Sequence, residues 1–391
     1  MQLIYVIYIY MIKFLYDFKQ NLKPLIYLFC TLCITHFASA DWNFFRGSAD
    51  MRGVAKTSLK LPLKLSWDAK IGRSVFATPV VSGGKVFIGN EEGRFVAMDI
   101  NDGKIIWEFK TDDIIEGTAC AVGKYVVFGA GDGYLYCLNK VTGKLNWKYE
   151  TDGEILGGVN LFKSNSDNKD YILVGSYDNY MHCVSLETGK PKWKYETQNY
   201  VNGAPGISEG KIYFGGCDAQ LYGIKTEDGK VHTTMDAENY IANSIVVVDS
   251  VAYVAHHGNR VAAFDLKEKK RIWEFGERDF PYFASPAVTK DSVFAAGRDK
   301  RLYRINRKTG EGIWEFKTGS GIESSPVVAG NTVFVGSGDG SLYGVDIQNG
   351  KEQWSFELGD NIRSSPAVVG GKLIIGCDDG KVYCFNENNS N

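Results

Sequence analysis

The chain has 391 residues, with 44 Lys and Arg against 46 Asp and Glu, so no broad cationic field exists to hold nucleic acid or an anionic lipid surface. Its 44 glycines, 22 tyrosines and 22 phenylalanines favour many short strands and tight turns over helices. The length could be divided into two or three average domains, but all-β rings of this size often fold as one unit.

The first forty residues stand apart. Lys13, Lys19 and Lys23 precede an uncharged run from Pro24 to Phe37, and Ala38-Ser39-Ala40 follows just before Asp41. A basic flank, a short apolar core and an A-x-A site describe a secretory signal peptide cut after Ala40. Met11 opens a better leader than Met1, because MIKFLYDFKQNLK supplies the basic flank. The alternative is a retained anchor, but the apolar run is short of the roughly 20 residues that span a bilayer. Lipidation is not expected either: Phe29 precedes Cys30 and Leu32 precedes Cys33, where a lipoprotein needs small residues. The expected protein is thus periplasmic or secreted, touching membranes only indirectly.

From residue 67 onward the chain repeats. Trp67, Trp107 and Trp147 are spaced by 40; Trp193 follows after 46, with a polar insertion around Ser164–Lys169. Thr233 occupies the next slot, then Trp273, Trp314 and Trp354 continue the series. Phrases such as YCLNKVTGKLNW and YGVDIQNGKEQW lead into the Trp, with VVFGAG- or KLIIGC-like runs upstream. Each repeat reads as four strands joined by Asp-Gly and Asn-Gly turns, and apolar residues on both faces suit a sheet packed between two others. Four-stranded sheets repeated radially make a β-propeller. Residues 363–386 supply three strands without a fourth, whereas LKLSW at 63–67 is a fourth strand without the first three. Together they complete one blade. Residues 41–391 are therefore expected to form one all-β domain, an eight-bladed propeller closed by the strand around Trp67, with no weak open edge at the seam.

These phrases, together with Trp42-Asn43-Phe44-Phe45-Arg46-Gly47, resemble the quinoprotein (PQQ-like) propeller repeat family. Size and blade number are most similar to the BamB-type outer-membrane assembly propellers. The resemblance implies that each Trp docks between blades. It also implies a non-catalytic monomer of the bacterial envelope that needs no cofactor, binds a protein partner and does not bind nucleic acid. PQQ-dependent alcohol dehydrogenases also resemble this ring, but they typically carry adjacent cysteines, a calcium site and a catalytic Asp, and no two cysteines here are adjacent. A PQQ-dependent oxidoreductase and a propeller that binds a glycan or small ligand are the alternatives.

Few side chains suggest chemistry. Cys137, Cys183 and Cys384 share a repeat slot with Ala97, Gly223, Ala263 and Gly344, which marks a small core position. Together with Cys120, Cys217 and Cys377 they are expected to be free thiols. His256-His257 has too few neighbouring ligands for a metal site. The recurrent turn acids Asp132, Asp178, Asp218, Asp299, Asp339 and Asp379 are expected to be structural, since Asp suits such turns.

One constellation stands out. The links into blades 4, 5 and 6 read QNYVNGAP, AENYIANS and ERDFPYFASP, bringing Tyr200, Tyr240, Phe280, Tyr282 and Phe283 towards the channel mouth. Neighbouring turns add His256, His257, Arg260, Arg298 and Arg301. Exposed aromatics with Arg are frequent in binding hot spots. The other reading is drift in one degenerate blade, with its aromatics packed inward.

The processing expectation has a direct check: the mass of the purified native protein should correspond to a chain starting at Asp41. An intact N-terminus, or a lipid on Cys30 or Cys33, would contradict it.

Overall fold

In the computed structural model, residues 41–276 and 278–388 are described; the expected signal peptide and its cleavage site lie outside them. Those residues form eight four-stranded antiparallel sheets and a single 3-10 turn, Phe45–Gly47. Among them no helix is long and apolar enough to cross a membrane. Within a blade the strands follow one another from the axis outward. In blade 2 they are Cys120–Val122, Tyr125–Gly129, Tyr134–Asn139 and Leu145–Glu150. The second and third strands are buried on both faces and the outermost alternates, because only the outermost meets water.

Blade 8 is completed as expected. Ala367–Val369, Lys372–Gly376 and Lys381–Glu387 pair in turn, and Leu63–Lys70 adds the outer strand antiparallel to the last, with Trp67 opposite Cys384.

The Trp series stitches each blade to the next. The indole N–H of Trp67 donates to the Ile100 carbonyl at 3.0 Å, Trp107 to Lys140 at 3.2 Å and Trp147 to Leu186 at 2.9 Å. Trp193, Trp273 and Trp314 repeat the bond to Thr226, Arg307 and Ile347. Trp354 closes the circle on the Leu63 carbonyl at 3.1 Å. Under six of these seven rings lies the turn glycine of the next blade; Trp354 meets the separately supplied outer strand of blade 8 instead. Gly350, at φ +70°, would carry a Cβ 2.8 Å from the Trp314 ring. Thr233 breaks the series, and the matching turn residue is Lys269, at φ +53°, in place of Gly. Without an indole overhead, the steric reason for glycine is gone, and only the backbone strain remains.

Opposite each Trp stands the small slot read from the sequence: Ala97, Cys137, Cys183, Ala263, Gly344 and Cys384, with Gly223 facing Thr233. Arg304 takes that slot opposite Trp314. A register shift follows it in the outer pair of every blade, and such bulges increase the local twist. All six described cysteines are free, five of them buried.

Residues 41–55 run through the ring axis, a role the sequence alone did not reveal. Trp42 forms an isolated antiparallel bridge with Val81 of blade 1. The Asn43 carbonyl accepts from Ala121 N–H, Ala49 from Ile207, Arg52 from Val288 and Gly53 from Val328. Inner strands present unpaired N–H groups to the axis, and this segment satisfies them. Arg46 is 1 % exposed; its Nε donates to the Met51 carbonyl and its Nη2 to the Pro286 and Pro326 carbonyls. Burial lowers its pKa to about 9. The channel is plugged.

The stitch predicts an asymmetry between equivalent glycine slots. Gly350→Ala should destabilise the ring by about 2–4 kcal/mol through overpacking and a left-handed alanine. Lys269→Gly should change stability by less than about 1 kcal/mol. Denaturant unfolding of the two variants tests this, and equal effects would contradict the steric account.

Candidate functional site

All links between blades lie on one face of the ring, together with the turns between second and third strands. Each link is tied to the turns by backbone bonds: Gly131 N–H donates to Ile114 O, Cys217 N–H to Tyr200 O and His257 N–H to Tyr240 O. One residue later every link sends an apolar side chain between blades, for example Val75, Ile115, Val201, Ile241 and Ile322, all fully buried. One residue further on, the chain reaches the axis. There stand Phe76, Glu116, Leu156, Asn202, Ala242, Phe283, Glu323 and Arg363, one from each link. They line a funnel of about 180 Å³ whose floor includes Phe45 of the plug.

Below this rim runs a hydroxyl belt. Ala204 N–H donates to Ser244 Oγ, Ser244 N–H to Ser285 Oγ, Ser285 N–H to Ser325 Oγ, Ser325 N–H to Ser365 Oγ and Ser365 N–H to Thr78 Oγ1, at 2.9–3.1 Å. The belt ties six of the eight blades together around the axis.

The charged groups of the funnel are unequally engaged. Arg363 lies over the Phe76 ring, 3.4 Å from its centroid, and its Nε and Nη2 each reach Asp378 Oδ2 at 2.8 Å. Glu323 is paired with Arg298 at 2.6 Å. Glu116 makes no hydrogen bond or salt bridge with the described residues; burial raises its pKa, Arg363 opposes this and Glu154 adds to it. Burial likewise raises the Asp378 pKa against the pull of Arg363. Asn243 lines the funnel at 5 % exposure, with its Nδ2 donating to Ala255 O at 2.7 Å and its Oδ1 unpartnered.

The aromatic and basic residues expected near the channel mouth divide into three groups. Tyr200, Tyr240 and Phe280 are exposed, by 45, 54 and 49 %. Tyr200 also stacks flat on Tyr177, with ring centroids 4.6 Å apart. Phe283, His257 and Arg298 form one cluster at the funnel rim: His257 meets Phe283 edge-on at 4.4 Å and Arg298 covers the same ring at 3.9 Å. Burial, then the Arg298 charge, lowers the His257 pKa.

The remainder do not present a surface. Tyr282 is 2 % exposed because it takes the register of the buried Val and Ile of the other links, packing with Tyr253 and Tyr303. His256 is buried in its strand and accepts the Gly258 N–H at Nδ1. Arg260 and Arg301 bond sideways to Glu274 and Glu315 of their own outer strands, as Arg94 does to Glu108. That pairing belongs to the repeat.

The turn acids are structural. Asp132 accepts from the Tyr134 and Asp112 N–H groups and from the Tyr136 hydroxyl; Asp218, Asp339 and Asp379 accept from the equivalent Tyr hydroxyls. At Asp178 the Tyr is replaced by His182, 3.0 Å away. Among the described residues, no group of three or more His, Cys, Asp or Glu is placed to hold a metal ion.

An eight-bladed ring with a blind axial funnel and Trp-stitched blades defines a class of propeller. The family model described as outer membrane protein assembly factor BamB matches residues 64–167, 156–276 and 257–391. The chain belongs to that PQQ-like β-propeller family. Its fold is similar to BamB from Moraxella catarrhalis, with a TM-score of 0.71 and 19 % identity over 85 % of this chain and 99 % of that one. It is equally similar to quinohemoprotein alcohol dehydrogenase from Comamonas testosteroni, with a TM-score of 0.74 and 15 % identity over 89 % of this chain and 80 % of that one. A quinoprotein ethanol dehydrogenase of Pseudomonas putida is 41 % identical over 69 residues, which is 17 % of this chain and only 11 % of the dehydrogenase.

The division of the aromatics is testable. Tyr282→Ala should cost about 3–5 kcal/mol of stability, whereas Tyr240→Ala and Phe280→Ala should each stay within about 0.5 kcal/mol. Thermal and denaturant unfolding would decide it, and a stable Tyr282→Ala protein would return that residue to the surface group.

Proposed function

We propose that this chain is a non-catalytic scaffold of the bacterial cell envelope that binds a protein partner through its link face. The observation that carries the reading is the row of exposed rings, Tyr200, Tyr240 and Phe280, on three successive links. Rigid aromatic side chains held at half exposure by a stiff ring supply contact area at small entropic cost, which is how hot spots work. Support comes also from the BamB description of the family model that spans residues 64–391. Export through the signal sequence at residues 1–40 would place the ring in that compartment.

The dehydrogenase resemblance implies pyrroloquinoline quinone, a planar tricarboxylate, on the ring axis. The funnel residues do not fit it. Its volume of about 180 Å³ lies below the roughly 300 Å³ at which small-molecule sites begin. Arg46 is not among the funnel's lining residues, its Nε and Nη2 are held by backbone carbonyls and only its buried Nη1 lacks a partner; Arg363 is held by Asp378, and Glu116 would face a further carboxylate. Like charges brought together in a half-buried site repel.

Two measurements test the proposal. Crosslinking in intact envelopes should capture a discrete partner, and the triple variant Tyr200→Ala, Tyr240→Ala, Phe280→Ala should lose it while keeping its thermal midpoint within a few degrees. Purified protein given pyrroloquinoline quinone and calcium should show no dye-linked alcohol or aldose oxidation. Turnover that rises with added quinone would overturn the scaffold reading.

A further inference from the structure

The link face is electrically lopsided. The links 111–119, 151–159, 197–205 and 237–245, with the turns 130–133, 176–179, 216–219 and 257–259, contain nine Asp or Glu and no Lys or Arg. The basic residues of this face, Arg73, Arg278, Arg298, Lys300 and Arg363, all fall in the other half of the ring, where they offset five of its ten Asp and Glu. The exposed Tyr200 and Tyr240 stand in the acidic half. A surface of one sign beside a low-dielectric funnel concentrates its field at the mouth.

Inside the funnel the unmatched groups are acceptors. Glu116 has no hydrogen bond or salt bridge with the described residues, and the cation that acts on it, Arg363, is already engaged by Asp378 and stacked on Phe76. Asn243, buried to 95 %, keeps an unpartnered Oδ1 after its Nδ2 is used on Ala255. A buried acceptor without a donor is costly, by about 1–3 kcal/mol, and a ligand that brings N–H groups removes that cost. The walls include apolar Leu156, Phe76 and Phe283, which suit an aliphatic stem. The volume of about 180 Å³ is that of a side chain, not of a whole small molecule.

We propose that the funnel seats one arginine or lysine side chain from a basic, apolar-flanked segment of a protein partner. The charged head meets Glu116, and the segment runs out across Tyr240 and Tyr200. This assignment rests on the scaffold reading, and it adds the sign of the partner and the residue that receives its anchor.

The probe is a fluorescent decapeptide with a central Arg, two Lys, and Leu and Ser elsewhere, titrated into the purified protein by anisotropy. Its controls replace the Arg by citrulline or by Glu, and N-acetyl-arginine amide serves as the free cation. Binding should weaken about tenfold or more in Glu116→Gln and with the citrulline peptide, as expected when a desolvated charge pair is broken. It should weaken severalfold in Tyr240→Ala and with added salt. It should be unchanged in Asp228→Asn, an exposed turn residue on the opposite face.

Equal affinity for the Arg and citrulline peptides, or an unaffected Glu116→Gln, would overturn the proposal, the variant's thermal midpoint having shown it folded. N-acetyl-arginine amide binding as tightly as the peptide, with no effect of Tyr240→Ala, would also overturn it in favour of a small-cation site. If Glu116→Gln still captures the crosslinked envelope partner at the parent's level, the funnel assignment falls while the scaffold reading stands.

Discussion

The ring depends on one repeated contact, an indole N–H donated to a backbone carbonyl of the next blade while the indole face lies on that blade's turn glycine. A propeller blade is a four-stranded sheet with two apolar faces and cannot bury both alone. Hydrophobic packing between blades is non-directional, so it brings sheets together without fixing their stagger. The Trp supplies the missing direction: a large buried ring whose single donor must find an acceptor sets both the spacing and the rotation between neighbours. Because the bond runs from each blade to its successor, the geometry closes only when the last Trp finds a partner. Trp354 finds it at Leu63, in the strand that the N-terminal part of the chain lends to blade 8.

The plug solves a second problem of closure. Eight inner strands converge on the axis, where their unpaired amides need acceptors. Residues 41–55 thread that space and accept N–H groups from blades 1, 2, 4, 6 and 7. Arg46 then ties blades 6 and 7 through Pro286 and Pro326, from inside and at the expense of a buried charge. A guanidinium is the cation best suited to this, since its fixed fork can donate to several carbonyls at once and it is weakly hydrated. Closure from outside by Leu63–Lys70 and from inside by the plug are made by one continuous stretch of chain. The entry of the polypeptide is therefore mechanically coupled to the circumference.

Most of the fold was legible because the repeat writes it eight times. The Trp spacing, the Asp-Gly turns and the complementary half-blades at either end each carry a steric or hydrogen-bonding demand visible in residue type alone. The turn aspartates were legible for the same reason, and their bonds to neighbouring amides and Tyr hydroxyls bear that out. The plug was not, because Trp42–Gly47 occurs once and its meaning lies in contacts with residues up to 280 positions away. Tyr282 was misplaced because the proline beside it and the longer link disguise its register. Aligned by the bond from Arg298 N–H to Pro281 O, it falls in the slot of Ile241 and Ile322 and must be buried. Arg260 and Arg301 were grouped with the aromatics by nearness in sequence, whereas strand geometry sends them outward to Glu274 and Glu315.

The funnel could have been found from the repeat by a different comparison. In each link the slot before the rim holds Val, Ile or Tyr, and the belt position two residues later holds Ser, Thr, Gly or Ala. Between them, at the rim, the eight links place Phe76, Glu116, Leu156, Asn202, Ala242, Phe283, Glu323 and Arg363, which share no size, charge or polarity. Packing constrains a repeat position by the demands that every copy makes in common, so positions with such demands converge. A slot that holds six residue types in eight copies has been released from the stitch, and its side chains face space instead of a neighbouring blade. In a fold whose blades are otherwise interchangeable, such positions are where the eight-fold sameness ends and recognition of an asymmetric partner becomes feasible. The unequal charges at the rim follow the same logic: a ring of eight identical side chains could bind only something on its own axis, whereas Glu116 and Arg363 on different blades give the axis a direction.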